Sequence, residues 1–320
     1  MNTPLLDVQD LRTYFTTKGG KVKAVDGISL QLEKGDALGL AGESGCGKTT
    51  SALTIMRLLP SNAEVLSGKI FLNKIDLLSL DEETLRREVR MKQLSMVFQG
   101  AMNALNPVFR VGDQIRQAIL THENISKEAA WERVRELFSF VGINPNRASD
   151  YPHEFSGGMK QRAIIALSLA CNPDLVIADE PVTALDVIVQ AQILELIRAL
   201  REKLGLSMIM ITHDLSVIAD TCNKSVIMYA GKIVENADSL VIFKNPQHPY
   251  TQGLIANFPS ISGEKKSFEP ISGSPPNLLS PPSGCRFHPR CPYAMDICKI
   301  KEPEIIEIKR GHFLACHLKK

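Results

Sequence analysis

The chain has 320 residues, of which 44% are hydrophobic and 22% charged, with a formal net charge of +2. That length can bury a large core and still carry an appendage, and the near-balanced charge excludes a chain-wide electrostatic case for nucleic-acid binding. The N-terminus, MNTPLLDVQDLRTYF, has no basic stretch leading into an apolar one, and no run approaches the roughly 18 apolar residues of a membrane span, so the expectation is a protein of the reducing cytoplasm.

The first strand-type segment that directs the reading is Ala37–Leu40. It runs into Gly42-Glu43-Ser44-Gly45-Cys46-Gly47-Lys48-Thr49, which fits G-x-x-x-x-G-K-[ST]. Thr49, Thr50 and the residues to Met56 read as the first turns of a helix. Strand, glycine-rich loop and helix in that order form a phosphate cradle. The glycines let successive N–H groups face one anion, and the helix N-terminus adds positive partial charge. Lys48 is placed to reach the β- and γ-phosphates, and the Thr49 hydroxyl to ligate Mg²⁺.

Further strand-type segments follow at Lys69–Leu72 and Leu94–Phe98, the latter ending beside Gln99. From about Gly100 to Leu169 strand signals are few. Ser126 caps an expected helix to Val141, which Gly142 ends, and another helix is expected from near Gly157, so this stretch reads as an all-helical insert. Leu175–Ala178 is an apolar strand that delivers Asp179 and Glu180 at its C-terminal end, the edge where open α/β sheets bind ligands. Asp179 is placed to hold Mg²⁺ through its water shell, and Glu180 to polarise an attacking water. Asp186 caps a long helix through Leu204, with Gly205 as its stop. Ser207–Ile211 is the next strand; His213 follows it and is placed to reach the γ-phosphate, as Gln99 is to reach metal and water. Ser225–Tyr229 is a further strand. Strands alternating with helices predict a mainly parallel sheet covered on both faces.

After Phe258 the texture changes. Ser274-Pro275-Pro276 and Ser280-Pro281-Pro282-Ser283-Gly284 punctuate a stretch of little periodicity, read as a linker to a small module. Four of the seven cysteines, Cys285, Cys291, Cys298 and Cys316, fall in the last 36 residues, spaced C-x5-C-x6-C-x17-C. In a reducing compartment such a cluster points to metal before disulfides. The absence of a close C-x2-C knuckle argues against a common zinc site, and four widely spaced thiolates suit a 4Fe-4S cluster. His288, His312 and His317 lie nearby and keep a mixed zinc site open as the alternative. The module is expected to be stapled by its metal, to stand apart from the nucleotide site, and to contribute no residue to it.

Phe155-Ser156-Gly157-Gly158-Met159-Lys160-Gln161-Arg162 resembles the signature motif of ATP-binding cassette (ABC) ATPases. With the phosphate loop, Gln99, Asp179-Glu180, Ala184-Leu185-Asp186 and His213, the family's ordered set is present over residues 1 to about 258. Phe155 stands where Leu is usual, Met159 where Gln is usual, and Thr183 where Ser is common. Leu105-Asn106-Pro107, Asn245-Pro246-Gln247-His248-Pro249-Tyr250-Thr251 and Gly284-Cys285-Arg286-Phe287-His288-Pro289-Arg290-Cys291-Pro292 carry a narrower resemblance, to the ATPase subunits of dipeptide/oligopeptide and nickel importers. The resemblance implies an α/β P-loop core of ABC type, an antiparallel β part at the N-terminus, a helical subdomain over about 100–164, and a Cys-rich extension over 259–320. It implies that Phe15, or else Tyr14, stacks on adenine. It implies that Ser156, Gly157 and Gly158 face the nucleotide of a second ATPase subunit, with Asp186 in the same nucleotide-contacting set.

The partners it implies are two membrane permease subunits, a second ATPase chain and, indirectly, an extracellular substrate-binding protein, with this chain peripheral on the cytoplasmic face of the membrane. Nickel chelates and oligosaccharides remain alternative cargoes. An ABC ATPase of DNA repair or chromosome type is the alternative of another class. It is kept open by eight Lys/Arg against four Asp/Glu from Cys285 onward, and opposed by the mere 114 positions from Gly42 to Ser156, too few for a coiled-coil insert. A translation-type ABC factor usually needs two cassettes, and one set is present.

Overall fold

The computed structural model describes residues 3–100, 104–183, 185–256 and 271–319. They fall in two compact units, Met1–Leu78 with Met210–Lys320, and Ser79–Ile209. The boundary expected at residue 258, the start of the linker, Ala184 and residues 101–103 lie outside the described residues.

The first leg of the first unit holds β1 (Leu6–Thr17), β2 (Gly20–Leu32), β3 (Ala37–Ala41), α1 (Lys48–Ile55), β4 (Ala63–Leu72) and β5 (Ile75–Asp76). β1 pairs antiparallel with β2 and with β4, and β4 with β5, giving a four-stranded sheet in the order β2-β1-β4-β5. The alternation of β1 slips between Val8 and Leu11, where Asp10 takes a positive φ of 43°, the signature of a bulge. All five residues of β3 are buried, as a strand covered on both faces requires.

The second unit holds α2 (Glu82–Thr84), β6 (Leu94–Val97), α3 (Val111–His122), α4 (Lys127–Phe140), α5 (Gly157–Ser168), β7 (Leu175–Asp179) and α6 (Val187–Leu204). β8 (Ser207–Ile211) runs across the boundary into the second leg of the first unit. β6 and β7 pair in parallel, and every residue of both is buried. The stretch expected to be helical is so: between β6 and β7 the described residues form α3, α4, α5 and two short 3₁₀ turns. Ser126 caps α4 by accepting from the Ala129 N–H at 3.1 Å. α6 begins and ends where its sequence predicts. The Asp186 carboxylate accepts from the Val189 N–H at 2.9 Å, and Gly205 closes the helix in the left-handed region at φ 61°.

The second leg of the first unit adds α7 (Leu215–Thr221), β9 (Lys224–Tyr229), β10 (Lys232–Asp238), α8 (Ser239–Lys244), α9 (Pro249–Ala256), α10 (Asp296–Ile300), β11 (Ile306–Lys309) and β12 (His312–Leu314). β3 pairs in parallel with β9, β9 antiparallel with β10, β10 with β12, and β12 with β11. The C-terminal residues are therefore not a free-standing module, as the sequence led us to expect. They extend a sheet of the first unit, and their Phe287 is fully buried against Tyr229, Tyr250 and His248. The stretch has too few apolar side chains for a core of its own and borrows one.

Gly39 sits at the centre of β3. A Cβ there would lie 2.2 Å from Cγ2 of Ile218 on α7, so strand and helix pack at a distance that only glycine permits. Gly39→Ala is expected to cost about 1–3 kcal/mol of stability by overpacking, read as a lower denaturation midpoint at unchanged m-value.

Candidate nucleotide site

In the first unit β3 feeds Gly42 to Gly47, and α1 starts at Lys48. Gly42 and Gly47 have φ of 148° and 106°, and a Cβ on either would fall 2.1 Å from the Met228 carbonyl oxygen or 2.2 Å from that of Ala24. The loop is thus bent back on β9 and β2 with no room for side chains at its two ends, while Ser44, Gly45 and Thr49 are exposed. Thr50 is half-buried, its carbonyl accepting from the Thr54 hydroxyl at 2.6 Å. Lys48 is buried, and its Nζ donates to the carbonyls of Gly42 at 2.7 Å and Glu43 at 3.0 Å, arching over the loop's entry. Cys46 is buried, and burial pushes its thiol pKa up, so it adds no negative charge. Bent amides, one ammonium and an adjoining helix N-terminus fit a polyphosphate.

Glu43 carries more than its place in the motif suggests. Its N–H donates to the Tyr250 hydroxyl at 2.8 Å. Its carboxylate takes a two-pronged ion pair from Arg290, at 2.6 and 2.9 Å. A residue of the C-terminal stretch thus touches the phosphate loop, against the expectation that none would.

Of the two aromatic candidates for adenine, Tyr14 donates its hydroxyl to Asp26 at 2.7 Å. Burial, and then that bond, push its phenol pKa up to about 12. Asp26 in turn pairs with the buried Arg286 of the C-terminal stretch. Phe15 is half-buried on β1, paired in register with Val22 and Ala63.

In the second unit β7 delivers Asp179, almost wholly buried, and Glu180. Glu180 has a positive φ of 47°, a strained conformation for a non-glycine residue. Its Oε2 accepts from Gln99 Nε2 at 2.8 Å and from the Thr183 hydroxyl at 3.0 Å. Gln99 and Glu180, 81 positions apart, are thereby brought together, and two donors on one oxygen fix the carboxylate's orientation. The same unit presents the signature. Ser156 caps α5 by accepting from the Met159 N–H at 3.3 Å, leaving Ser156 and Gly157 exposed and Gly158 half-buried. A Cβ at Gly158 would meet Val189 at 2.7 Å, so α5 and α6 approach closely there. Phe155 packs edge-on against Phe138 and under Arg147, which also meets the Met159 sulfur at 3.6 Å. Both departures from the usual signature are thus side chains facing the unit's own packing. Asp186 is seen as the cap of α6. His213, in the first unit, is exposed just after β8.

The metal site expected at the tail is not seen among the described residues. Among the described residues no group of three or more His, Cys, Asp or Glu side chains is placed to hold a metal ion. Of the histidines that kept a zinc site open, each has one ring nitrogen at a polar partner: His288 Nδ1 lies 2.9 Å from the Cys285 carbonyl, His312 Nε2 2.8 Å from Glu235, and His317 Nε2 2.8 Å from the Lys301 carbonyl. The four cysteines are free thiols. Burial, then the neighbouring Cys298, Cys316 and Cys291, push Cys285 up to about 11, so an uncompensated thiolate is disfavoured there. Cys285 donates its N–H to the Cys298 carbonyl at 2.8 Å, which joins two of the four positions.

The described residues contain no helix long and apolar enough to cross a membrane. Residues 25–183 match the ABC transporter family model, and residues 234–298 match the oligopeptide/dipeptide transporter C-terminal region. The chain is 46% identical to the dipeptide transport ATP-binding protein DppD of Bacillus subtilis over 317 residues, covering 98% of this chain and 94% of that one. It is 44% identical to the oligopeptide transport ATP-binding protein OppD of Escherichia coli over 314 residues, covering 98% and 92%. In fold it is similar to cbiO1 of Clostridium perfringens, part of an ABC transporter complex, with a TM-score of 0.66 at 23% identity over 76% of this chain and 92% of that one. The chain belongs to the ABC transporter ATPases, in the family of dipeptide and oligopeptide transport ATP-binding proteins.

Proposed function

We propose that this chain is the ATP-hydrolysing subunit of a membrane importer for di- or oligopeptides. The observation that carries the reading is the likeness to dipeptide and oligopeptide transport ATP-binding proteins along 98% of the chain, C-terminal region included. The amides of Gly42 to Thr49 bind the nucleotide's phosphates, and Lys48 neutralises them. Thr49 in the first unit, and Gln99 and Asp179 in the second, are the residues that would hold Mg²⁺, and the metal would supply charge neutralisation in phosphoryl transfer. Glu180 orients the attacking water, and His213 senses the γ-phosphate. Phe15 takes the adenine, because the Tyr14 hydroxyl is already committed to Asp26.

Ser156, Gly157 and Gly158 at the start of α5 form a second anion-binding terminus, offered to the nucleotide of a partner ATPase subunit, with Asp186 holding the start of α6 beside it. ATP then joins two ATPase subunits and hydrolysis parts them. Two permease subunits dock on the helical stretch of about 100–164, on the cytoplasmic face of the membrane, and receive cargo from an extracellular binding protein. Cys285, Cys291, Cys298 and Cys316 would hold a 4Fe-4S cluster. What supports this reading over zinc is the spacing of the four thiols, which lacks a close C-x2-C knuckle, and iron would supply the charge compensation that buried thiolates require.

Glu180→Gln is expected to leave ATP binding intact and to cut turnover by at least about 10²-fold. Near-normal hydrolysis by the assembled transporter would remove Glu180 from the catalytic role. Lys48→Ala is expected to weaken ATP affinity measured by calorimetry, and an unchanged affinity would count against the phosphate site. Protein prepared without oxygen is expected to be brown and to carry about four irons per chain, with Cys298→Ser losing the iron. Stoichiometric zinc without iron would overturn the cluster. Cargo is read by uptake of labelled dipeptides in cells with and without the gene; unimpaired peptide uptake alongside lost uptake of a nickel chelate or an oligosaccharide would reassign it.

A further inference from the structure

We infer that Arg290 is a positioning residue for the phosphate loop, so that the C-terminal stretch sets the affinity of this chain for its nucleotide. The inference rests on the reading of Gly42–Thr49 as the nucleotide's phosphate site. Its basis is how completely the guanidinium is used. Nη1 donates to Glu43 Oε2 at 2.6 Å and to the Tyr229 hydroxyl at 3.3 Å. Nη2 donates to Glu43 Oε1 at 2.9 Å and to the Gly273 carbonyl at 3.1 Å. Nε donates to the Ser272 carbonyl at 2.8 Å. These contacts use all five donors of an arginine, and the side chain is only 7% exposed. Such saturation in a fixed fork is a built contact rather than a passing surface pair.

The other end of the contact is the loop itself. Glu43 follows Gly42 directly, and its carbonyl is one of the two that hold the Lys48 ammonium, at 3.0 Å. Its N–H is fixed by the Tyr250 hydroxyl at 2.8 Å, and Tyr250 packs against Tyr229 and Phe287. Arg290 lies over the Tyr229 ring at 5.7 Å. The residue that aims Lys48 is therefore held from two sides, by Arg290 on its carboxylate and by Tyr250 on its N–H; Arg290 belongs to the C-terminal stretch, and Tyr250 packs against Phe287 of that stretch. Releasing Glu43 frees the entry of the loop to sample backbone states in which its amides and Lys48 no longer converge, and nucleotide affinity falls by the fraction of time spent there.

The test uses the full chain for ATP binding and the assembled transporter for kinetics. Arg290→Ala, Arg290→Lys and Glu43→Gln are each expected to raise the Kd for ATP, Arg290→Ala by about tenfold, and Arg290→Ala with Glu43→Gln to be no worse than the weaker-binding single variant, since the two act through one contact. Lysine is expected to rescue only in part, because it lacks the fork. In the transporter, Arg290→Ala is expected to raise the KM for ATP about tenfold with kcat within about twofold; a merely structural contact would lower kcat through loss of active protein and leave KM alone. If Arg290→Ala does not fold, Arg290→Lys and Glu43→Gln decide by the same readouts. Additive losses in the double variant, or wild-type Kd and KM in the single ones, would overturn the coupling. Lys48→Ala separates the two readings. If it abolishes ATP binding while the Arg290 and Glu43 variants bind normally, only the coupling fails. If it binds like wild type, the phosphate site fails and the coupling with it.

Discussion

The backbone between Gly42 and Gly47 must bend so tightly that a Cβ on Gly42 would lie 2.1 Å from a carbonyl oxygen of β9, and one on Gly47 2.2 Å from a carbonyl oxygen of β2. The surroundings follow from that bend. The loop needs a strand with no bulk at its centre to deliver it, and Gly39 against Ile218 supplies that. It needs a wall to lie against, and β9, paired in parallel with β3, supplies it. A glycine-rich loop has high intrinsic freedom, so its residual motion has to be removed from outside, and Glu43 is its one residue with a carboxylate long enough for other elements to grip.

The C-terminal stretch supplies two such grips. Arg286 precedes the 3₁₀ turn His288–Arg290, and Arg290 is its last residue. Arg290 meets Glu43 on the loop; Arg286 meets Asp26 on β2 and the Ala230 carbonyl after β9. Between them Phe287 fills the gap against Tyr229 and Tyr250. Arginine suits both positions because its planar fork loses less freedom per bond formed than an ammonium on a flexible stem. Asp26 is held below the usual carboxylate range although burial opposes this. The Tyr14 hydroxyl and the charges of Lys232 and Arg286 outweigh the burial.

Much of the fold was legible where one local signal governed. Asp186 and Gly205 marked the ends of α6 because a capping carboxylate and a left-handed stop act within a turn. β7 and β8 announced themselves as buried apolar runs. β1 was not read as a strand because Asp10, at φ 43°, interrupts the period of two. β10 was missed because it buries Glu235, which accepts from the N–H groups of Gln247 and His248 and pairs with His312, and a buried carboxylate reads in sequence as a surface residue. The phosphate loop and the Asp179-Glu180 pair were legible as motifs. The Glu43–Arg290 contact was not, since it spans 247 positions and neither residue is unusual in its own neighbourhood.

The same tail that obscured its role in the sequence bears on the proposal that Phe15, and not Tyr14, takes the adenine. Successive side chains of a strand point to opposite faces, so Tyr14 and Phe15 cannot serve the same surface unless the register slips, and it does slip between Thr13 and Phe15. Tyr14 is bound to Asp26, and Asp26 to Arg286. Swinging Tyr14 onto a base would leave the buried Asp26 carboxylate with one donor fewer, a cost of about 1–3 kcal/mol, against about 1–3 kcal/mol for stacking a base on an aromatic ring. The two terms cancel for Tyr14. Phe15 has no polar side-chain bond to surrender, which is the ground for proposing it over Tyr14.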